Sequence, residues 1–149
     1  MNASDVVDAA FVAAVRQMRP QPHTAANLPM RAGTQLTGIE CREIFEAQLA
    51  SRHLDLAARW LRARGEGFYT IGSSGHEGNA AVAAVLRPSD PALLHYRSGA
   101  FYVMRARQLP GTTPVRDVLL GVCAAAAEPI AGGRHKVFGS AQLAVIPQT

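Results

Sequence analysis

Thr37-Gly38-Ile39-Glu40 opens the stretch that most restricts what this chain can fold into. It has the form of a capping box. The threonine hydroxyl and the glutamate carboxylate each satisfy an amide that the first helical turn leaves free. The helix it opens is expected to run to about Arg64, where Gly65 stops it. Cys41, Phe45, Leu49, His53, Ala57 and Leu61 recur every fourth residue, with Leu56 and Trp60 beside them, which predicts one apolar face. On this reading His53 is a satisfied core residue. Arg42, Glu46, Arg52, Arg59 and Arg62 form a solvated or intersubunit face.

Shorter elements flank this helix. Ser4 caps a helix to about Met18, with Val7, Phe11, Ala14, Val15 and Met18 on one face. Arg19-Pro20-Gln21-Pro22 ends it, and residues 19–36 read as an extended arm or surface loop that carries His23. Ser74-Gly75-His76-Glu77 is a second capping box, opening an alanine-rich helix to Leu86 that is narrow enough for close packing. Residues 91–96 predict a short strand. Ser98 is placed to cap a helix over 99–108, and Thr113-Pro114 to start one over 114–127. A loop-rich tail follows, with a short strand at 143–146. The organisation expected is an N-terminal helix and arm over 1–36 and a domain over 37–149.

Of the 149 residues, 48% are apolar and 17% charged, enough to bury a core. The net charge is +4, and fourteen of the fifteen basic residues are arginine, Lys136 being the exception. The arginines are scattered from Arg16 to Arg134 without a dense run, which argues against a nucleic-acid partner. Cys41 and Cys123 match no metal or redox spacing and read as buried free thiols. No basic segment precedes an apolar run at the N-terminus, as a signal peptide requires. The longest apolar stretch, 118–127, falls far short of the ~20 residues that span a bilayer. A soluble, cytoplasmic protein with no membrane partner is expected.

Tyr96-Arg97 is the pair with the clearest chemistry. Arginine presents a planar fork of donors that matches two phosphate oxygens, and a tyrosine hydroxyl beside it can donate another hydrogen bond. After a short strand the pair stands where open α/β sheets place ligands, and a helix starting near Ser98 brings free amides. The structural alternative is an ordinary surface pair. His95 is the histidine nearest this point. His76 reads as an exposed first-turn residue, and His135 lies in a basic Gly-rich turn with Arg134 and Lys136. Glu77 either closes the capping box onto Ser74 or serves a subunit interface. No spacing fits a hydrolase triad or a zinc site.

Arg52, Asp55, Gly65, Phe68-Tyr69, Gly75-His76-Glu77, Asp90, Tyr96-Arg97 and Gly133-Arg134-His135-Lys136 stand in this order over roughly residues 40–149. The ordered set resembles the alpha subunit of the thiamine diphosphate-dependent 2-oxo acid dehydrogenases. There are departures. His76 stands where the family has Gln or Glu, and Gly78 where it has Ala. The Gly-Asp-Gly…Asn motif that ligates magnesium and the diphosphate is absent, as is the later active-site histidine.

The resemblance implies an α/β thiamine diphosphate-binding fold in the intact protein, this chain being its helix-rich N-terminal part, mostly α with a few short strands. It implies oxidative decarboxylation of a 2-oxo acid with acyl transfer to a lipoyl group. Tyr96 and Arg97 would contact the diphosphate, with His95 adjacent. Thiamine diphosphate and magnesium would serve the intact enzyme, and this chain alone is expected to hold neither and to be inactive. The implied partners are a beta subunit or beta-like domain and a lipoyl-bearing acyltransferase, in a homo- or hetero-oligomer. Two other readings stand beside it. One is a small basic helical module that binds an acidic partner or nucleic acid. The other is a different thiamine enzyme of transketolase type.

Overall fold

The computed structural model describes residues 3–19, 26–70, 72–135 and 138–148, with the backbone alone at position 4. These residues contain five helices and two short strands. They divide into two compact units, Met1–Gly38 and Ile39–Thr149.

The first unit contains α1, Ala3–Gln17. The cap assigned to the Ser4 side chain lies outside the described atoms, as do His23 and residues 20–25 of the arm. Val7, Phe11, Val15 and Met18, the predicted apolar stripe, are all exposed. The last part of the arm is folded back rather than extended. Pro29 bridges Thr37 in antiparallel fashion, the Met30 amide donates to the Leu36 carbonyl at 2.8 Å, and Gly33 takes the turn with φ +80°.

The helix α2 spans Gly38–Ala63, in the second unit from Ile39 onward, and stops at Gly65, whose φ of +74° favours glycine. Its buried face is not the predicted one. Ala47, Ser51, Leu54 and Ala58 are buried, and Ile44 and Leu61 are partly buried. Phe45, Leu56 and Trp60 are exposed, and so is His53. A stripe spaced strictly by four drifts around a helix of 3.6 residues per turn, whereas 44, 47, 51, 54, 58 and 61 alternate steps of three and four and stay on one side. Small residues at 47, 51 and 58 let the core approach the helix closely.

That core is built around α4, Gly99–Arg107, in which every residue from Gly99 to Ala106 is buried. α3, Asn79–Val85, packs against it through Ala80 and Ala83, both with no exposed surface. The Gln108 side-chain amide adds a bond to the Ala83 carbonyl at 2.8 Å. The second capping box does not form as predicted. Gly75 takes a turn at φ +85°, Glu77 accepts from the Gly75 amide at 2.8 Å, and the helix begins only after Gly78. The Ser74–Glu77 reach is replaced by a one-turn closure that the glycine permits.

α5, Pro114–Val122, starts at the predicted proline but ends five residues early. Ala124 is left-handed at φ 51°, its amide donates to Gly121, and the Ala125 amide donates to Leu120 at 2.9 Å. This is a Schellman stop with alanine where glycine is usual. Both thiols are half-buried and free, not buried. β1, Ala92–Leu93, pairs in parallel with β2, Val145–Ile146, in the register Ala92↔Val145 and Leu93↔Ile146. Ala92 and Val145 face the core, while Leu93 and Ile146 are exposed. Among the described residues no helix is long and apolar enough to cross a membrane.

Candidate functional site

Tyr96 and Arg97 form the corners of a turn just beyond the carboxyl end of β1, closed by the Ser98 amide on the His95 carbonyl at 2.8 Å. A second turn lies against it, closed by the His76 amide on the Ser73 carbonyl at 2.7 Å. The two turns meet through His76 and His95, whose rings stack with centroids 5.9 Å apart. The His95 ring also lies 3.8 Å from that of Tyr96, and its Nδ1 accepts from the Arg97 amide at 3.3 Å.

Arg97 bridges the turns. Its Nη1 donates to the Gly72 carbonyl at 2.6 Å, and its guanidinium carbon lies 5.3 Å from the centre of the Tyr96 ring. Nε and Nη2 have no acceptor among the described residues. Tyr96 is 42% exposed, and its hydroxyl likewise makes no bond within the described residues. Tyr69 lies close by. Burial raises its phenol pKa, Tyr96 adds to the rise, and Arg97 opposes it. The cluster therefore offers side-chain donors and positive charge at an open edge.

Two expectations are revised here. The start of α4 does not present free amides at the surface, because Ser98, Gly99 and Ala100 are buried. A Cβ at Gly99 would stand 2.6 Å from the Ser51 hydroxyl, so this helix start is pressed onto α2. The cavity beside Tyr96, which Arg97 does not line, is also small. It holds about 20 Å³, roughly one water, between Ser51, Asp55, Tyr69, Ser73 and Tyr96. An anion would meet the outward side of Arg97, not a deep pocket.

The side chains supporting these turns carry no sequence motif of their own. Asp55 Oδ2 accepts from the Ser73 amide at 2.9 Å and from the Ser73 hydroxyl at 3.0 Å. The Ser51 hydroxyl donates to Ser73 Oγ at 2.8 Å, and Arg52 approaches the same Asp55 oxygen at 3.5 Å. The Arg52–Asp55 spacing of three on a helix was the available signal. His135 and Arg134 are exposed in the tail turn, and Lys136 lies outside the described residues.

That tail turn is organised by a residue the sequence did not single out. Buried Glu128 accepts from the amides of Ile130 at 2.9 Å, Ala131 at 2.6 Å and Gly133 at 3.3 Å. Larger clefts of about 560 and 420 Å³ run along α5. The first is lined by Val115, Leu119, Leu120 and Cys123, without a carboxylate or imidazole. In the second, Arg116 and Asp117 are within 3.8 Å of each other, which neutralises its charged lining. Among the described residues no three His, Cys, Asp or Glu side chains come together to hold a metal.

No family model, curated protein or solved structure matches this chain.

Proposed function

We propose that Tyr96 and Arg97 clamp the diphosphate of thiamine diphosphate in a 2-oxo acid dehydrogenase of which this chain is the alpha-like N-terminal part. The observation that carries this reading is the Arg97 guanidinium. Nη1 is held by Gly72, Nε and Nη2 have no acceptor among the described residues, and the Tyr96 ring lies 5.3 Å from the guanidinium carbon. Such a fork fits adjacent oxygens of one anion. His76 and His95 add two further nitrogen-bearing rings at the same edge. The residues fit the phosphate end of the cofactor; among the described residues no group of side chains comes together to hold its magnesium.

When bound, the cofactor supplies the electron sink for decarboxylating a 2-oxo acid. The part of these residues is to bind and orient its anionic end. A lipoyl-bearing acyltransferase would receive the acyl group, its lipoyl disulfide taking up the two electrons as it opens, with a beta subunit or beta-like domain completing the site. The intact protein has the α/β thiamine diphosphate-binding fold, and the short parallel pair β1–β2 is the edge of its larger sheet. Parallel sheets occur almost only with both faces covered, and here Leu93 and Ile146 are exposed.

The test is a titration of the chain with inorganic diphosphate, followed by nuclear magnetic resonance of the arginine side chains. One or two charge-assisted bonds of about 1.5–3 kcal/mol each give binding in the millimolar range, with Arg97 the side chain that moves. A response spread over all exposed arginines would defeat the proposal. The chain alone, supplied with thiamine diphosphate and magnesium, is expected to show no decarboxylation of 2-oxo acids. Turnover above a buffer control would contradict the division of the site between this chain and other sequence.

A further inference from the structure

The clamp does not hold itself in place. Arg97 is fixed through the Gly72 carbonyl, and Gly72 is the neighbour of Ser73. Ser73 is 3% exposed and bound twice, by amide and hydroxyl, to one oxygen of Asp55. Ser51, 1% exposed, donates to the Ser73 hydroxyl. That hydroxyl has one proton, and the Asp55 bond uses it, so the Ser51 contact fixes its direction. The contact between Gly72 and α2 is equally close. A Cβ at Gly72 would lie 2.7 Å from the Asp55 carboxylate, so only glycine lets this backbone lie on that side chain. A continuous path therefore runs from α2 through Asp55, Ser73 and Gly72 to the guanidinium of Arg97.

We propose that Asp55 is the positioning residue of the Tyr96–Arg97 clamp. Through Ser73 it fixes the Gly72 carbonyl that aims the guanidinium, although it touches no bound anion itself. The inference rests on the anion-clamp reading of Arg97. It extends the support of that site to α2, the longest helix among the described residues. Both serines are buried, 1% and 3% exposed, so their bond is shielded from bulk solvent and strengthened by the low local dielectric. Arg52 adds a positive charge against the same carboxylate oxygen.

The test uses the whole chain with Asp55→Ala, Asp55→Asn and Arg97→Ala, each checked for helical content by circular dichroism. The probe is inorganic diphosphate. Asp55→Ala is expected to weaken its binding roughly tenfold, within the range shown by coupled members of one hydrogen-bond network. Asp55→Asn retains an acceptor for the Ser73 amide and is expected to recover a large part of that loss. On the Arg97→Ala background, Asp55→Ala should have no further effect, because the group it positions is gone.

A second readout needs no anion. The Nε–H resonance of Arg97 and the exchange of the Ser73 amide report order in the free protein. In folded Asp55→Ala, a broadened or shifted Arg97 signal with faster Ser73 exchange supports the positioning role. An unchanged Arg97 signal overturns it, whatever diphosphate does. If Asp55→Ala does not fold, Asp55→Asn and Ser73→Ala carry the same comparison. Arg97 signals and diphosphate affinity both equal to the parent in these two variants would also overturn the proposal. If the parent itself ignores diphosphate, the clamp reading fails while the Arg97 signal still decides whether Asp55 positions it.

Discussion

Arg105 Nη1 donates to the carbonyl of Leu143 at 3.1 Å, tying the central helix α4 to the turn before β2. The same nitrogen donates to the carbonyls of Pro88 at 3.1 Å and Asp90 at 2.9 Å, so one atom joins three segments. The residue has no exposed surface, and its guanidinium carbon lies 5.1 Å from the centre of the Phe101 ring. Burial lowers the guanidinium pKa, and the Asp90 charge opposes this. Nε and Nη2 have no partner among the described residues.

Arg105→Ala should therefore destabilise the chain by at least ~3 kcal/mol, leaving buried carbonyls unpaired beside a cavity. Arg107→Ala loses only a surface pair with Glu46, 2.9 Å away, and should cost at most ~0.5 kcal/mol. Urea unfolding of the two variants checks this. Equal midpoints would show that Arg105 is not a structural tie.

Tyr102 gives a prediction about alkali. It is buried, and its hydroxyl reaches the Gly139 carbonyl at 3.4 Å. Burial first, then the charges of Asp117 and Glu128, push its pKa from 10.0 up to about 12. The unfolded chain releases this proton near 10 while the folded chain keeps it. Its contribution to stability is thus complete below about pH 10 and lost as pH rises through about 12. The contribution is on the order of 2–3 kcal/mol. Tyr102→Phe should flatten the fall in stability across that window, read from denaturant midpoints at pH 9 to 12. A parallel fall in both proteins would assign the alkaline loss elsewhere.

The stop of α5 predicts an improvement. Ala124 holds a left-handed backbone that costs an L-residue about 1–2 kcal/mol, so Ala124→Gly should raise stability by up to ~1 kcal/mol. Gly133 faces the same point from the tail, and a Cβ there would stand 2.3 Å from the Ala124 carbonyl carbon. Gly133→Ala should be destabilising by ~1–3 kcal/mol. Thermal unfolding of both variants gives the signs; a destabilised Ala124→Gly would contradict the account of this helix end.

The ends of elements were legible where one residue decides them. Gly65 stops α2, Pro114 starts α5, and the apolar run at 91–96 contains β1. Faces were less legible. The large residues Phe45, in the four-residue repeat, and Trp60, beside it, dominate the predicted apolar face, yet the core takes Ala47, Ser51 and Ala58, because close approach rewards small side chains that a hydrophobic pattern scores weakly. The burial of Arg105 had no local signal, since its partners are carbonyls 15, 17 and 38 residues away. At the candidate site the Tyr96-Arg97 pair was visible as chemistry. Its support by Ser51 and Ser73 was not, because hydrogen bonds between a helix and a distant turn leave no spacing to read, and Asp55 showed only as the i,i+3 partner of Arg52.

The most direct measurement of the central claim is diphosphate titration of the parent chain beside Arg97→Ala and Arg97→Lys, followed by arginine side-chain resonances or calorimetry. Loss of one charge-assisted bond of about 1.5–3 kcal/mol corresponds to a roughly 10- to 150-fold weakening for Arg97→Ala, with the helical signal intact. Arg97→Lys should restore only part, since an ammonium cannot reproduce the fork. Affinity for diphosphate equal to the parent's in folded Arg97→Ala would contradict the account.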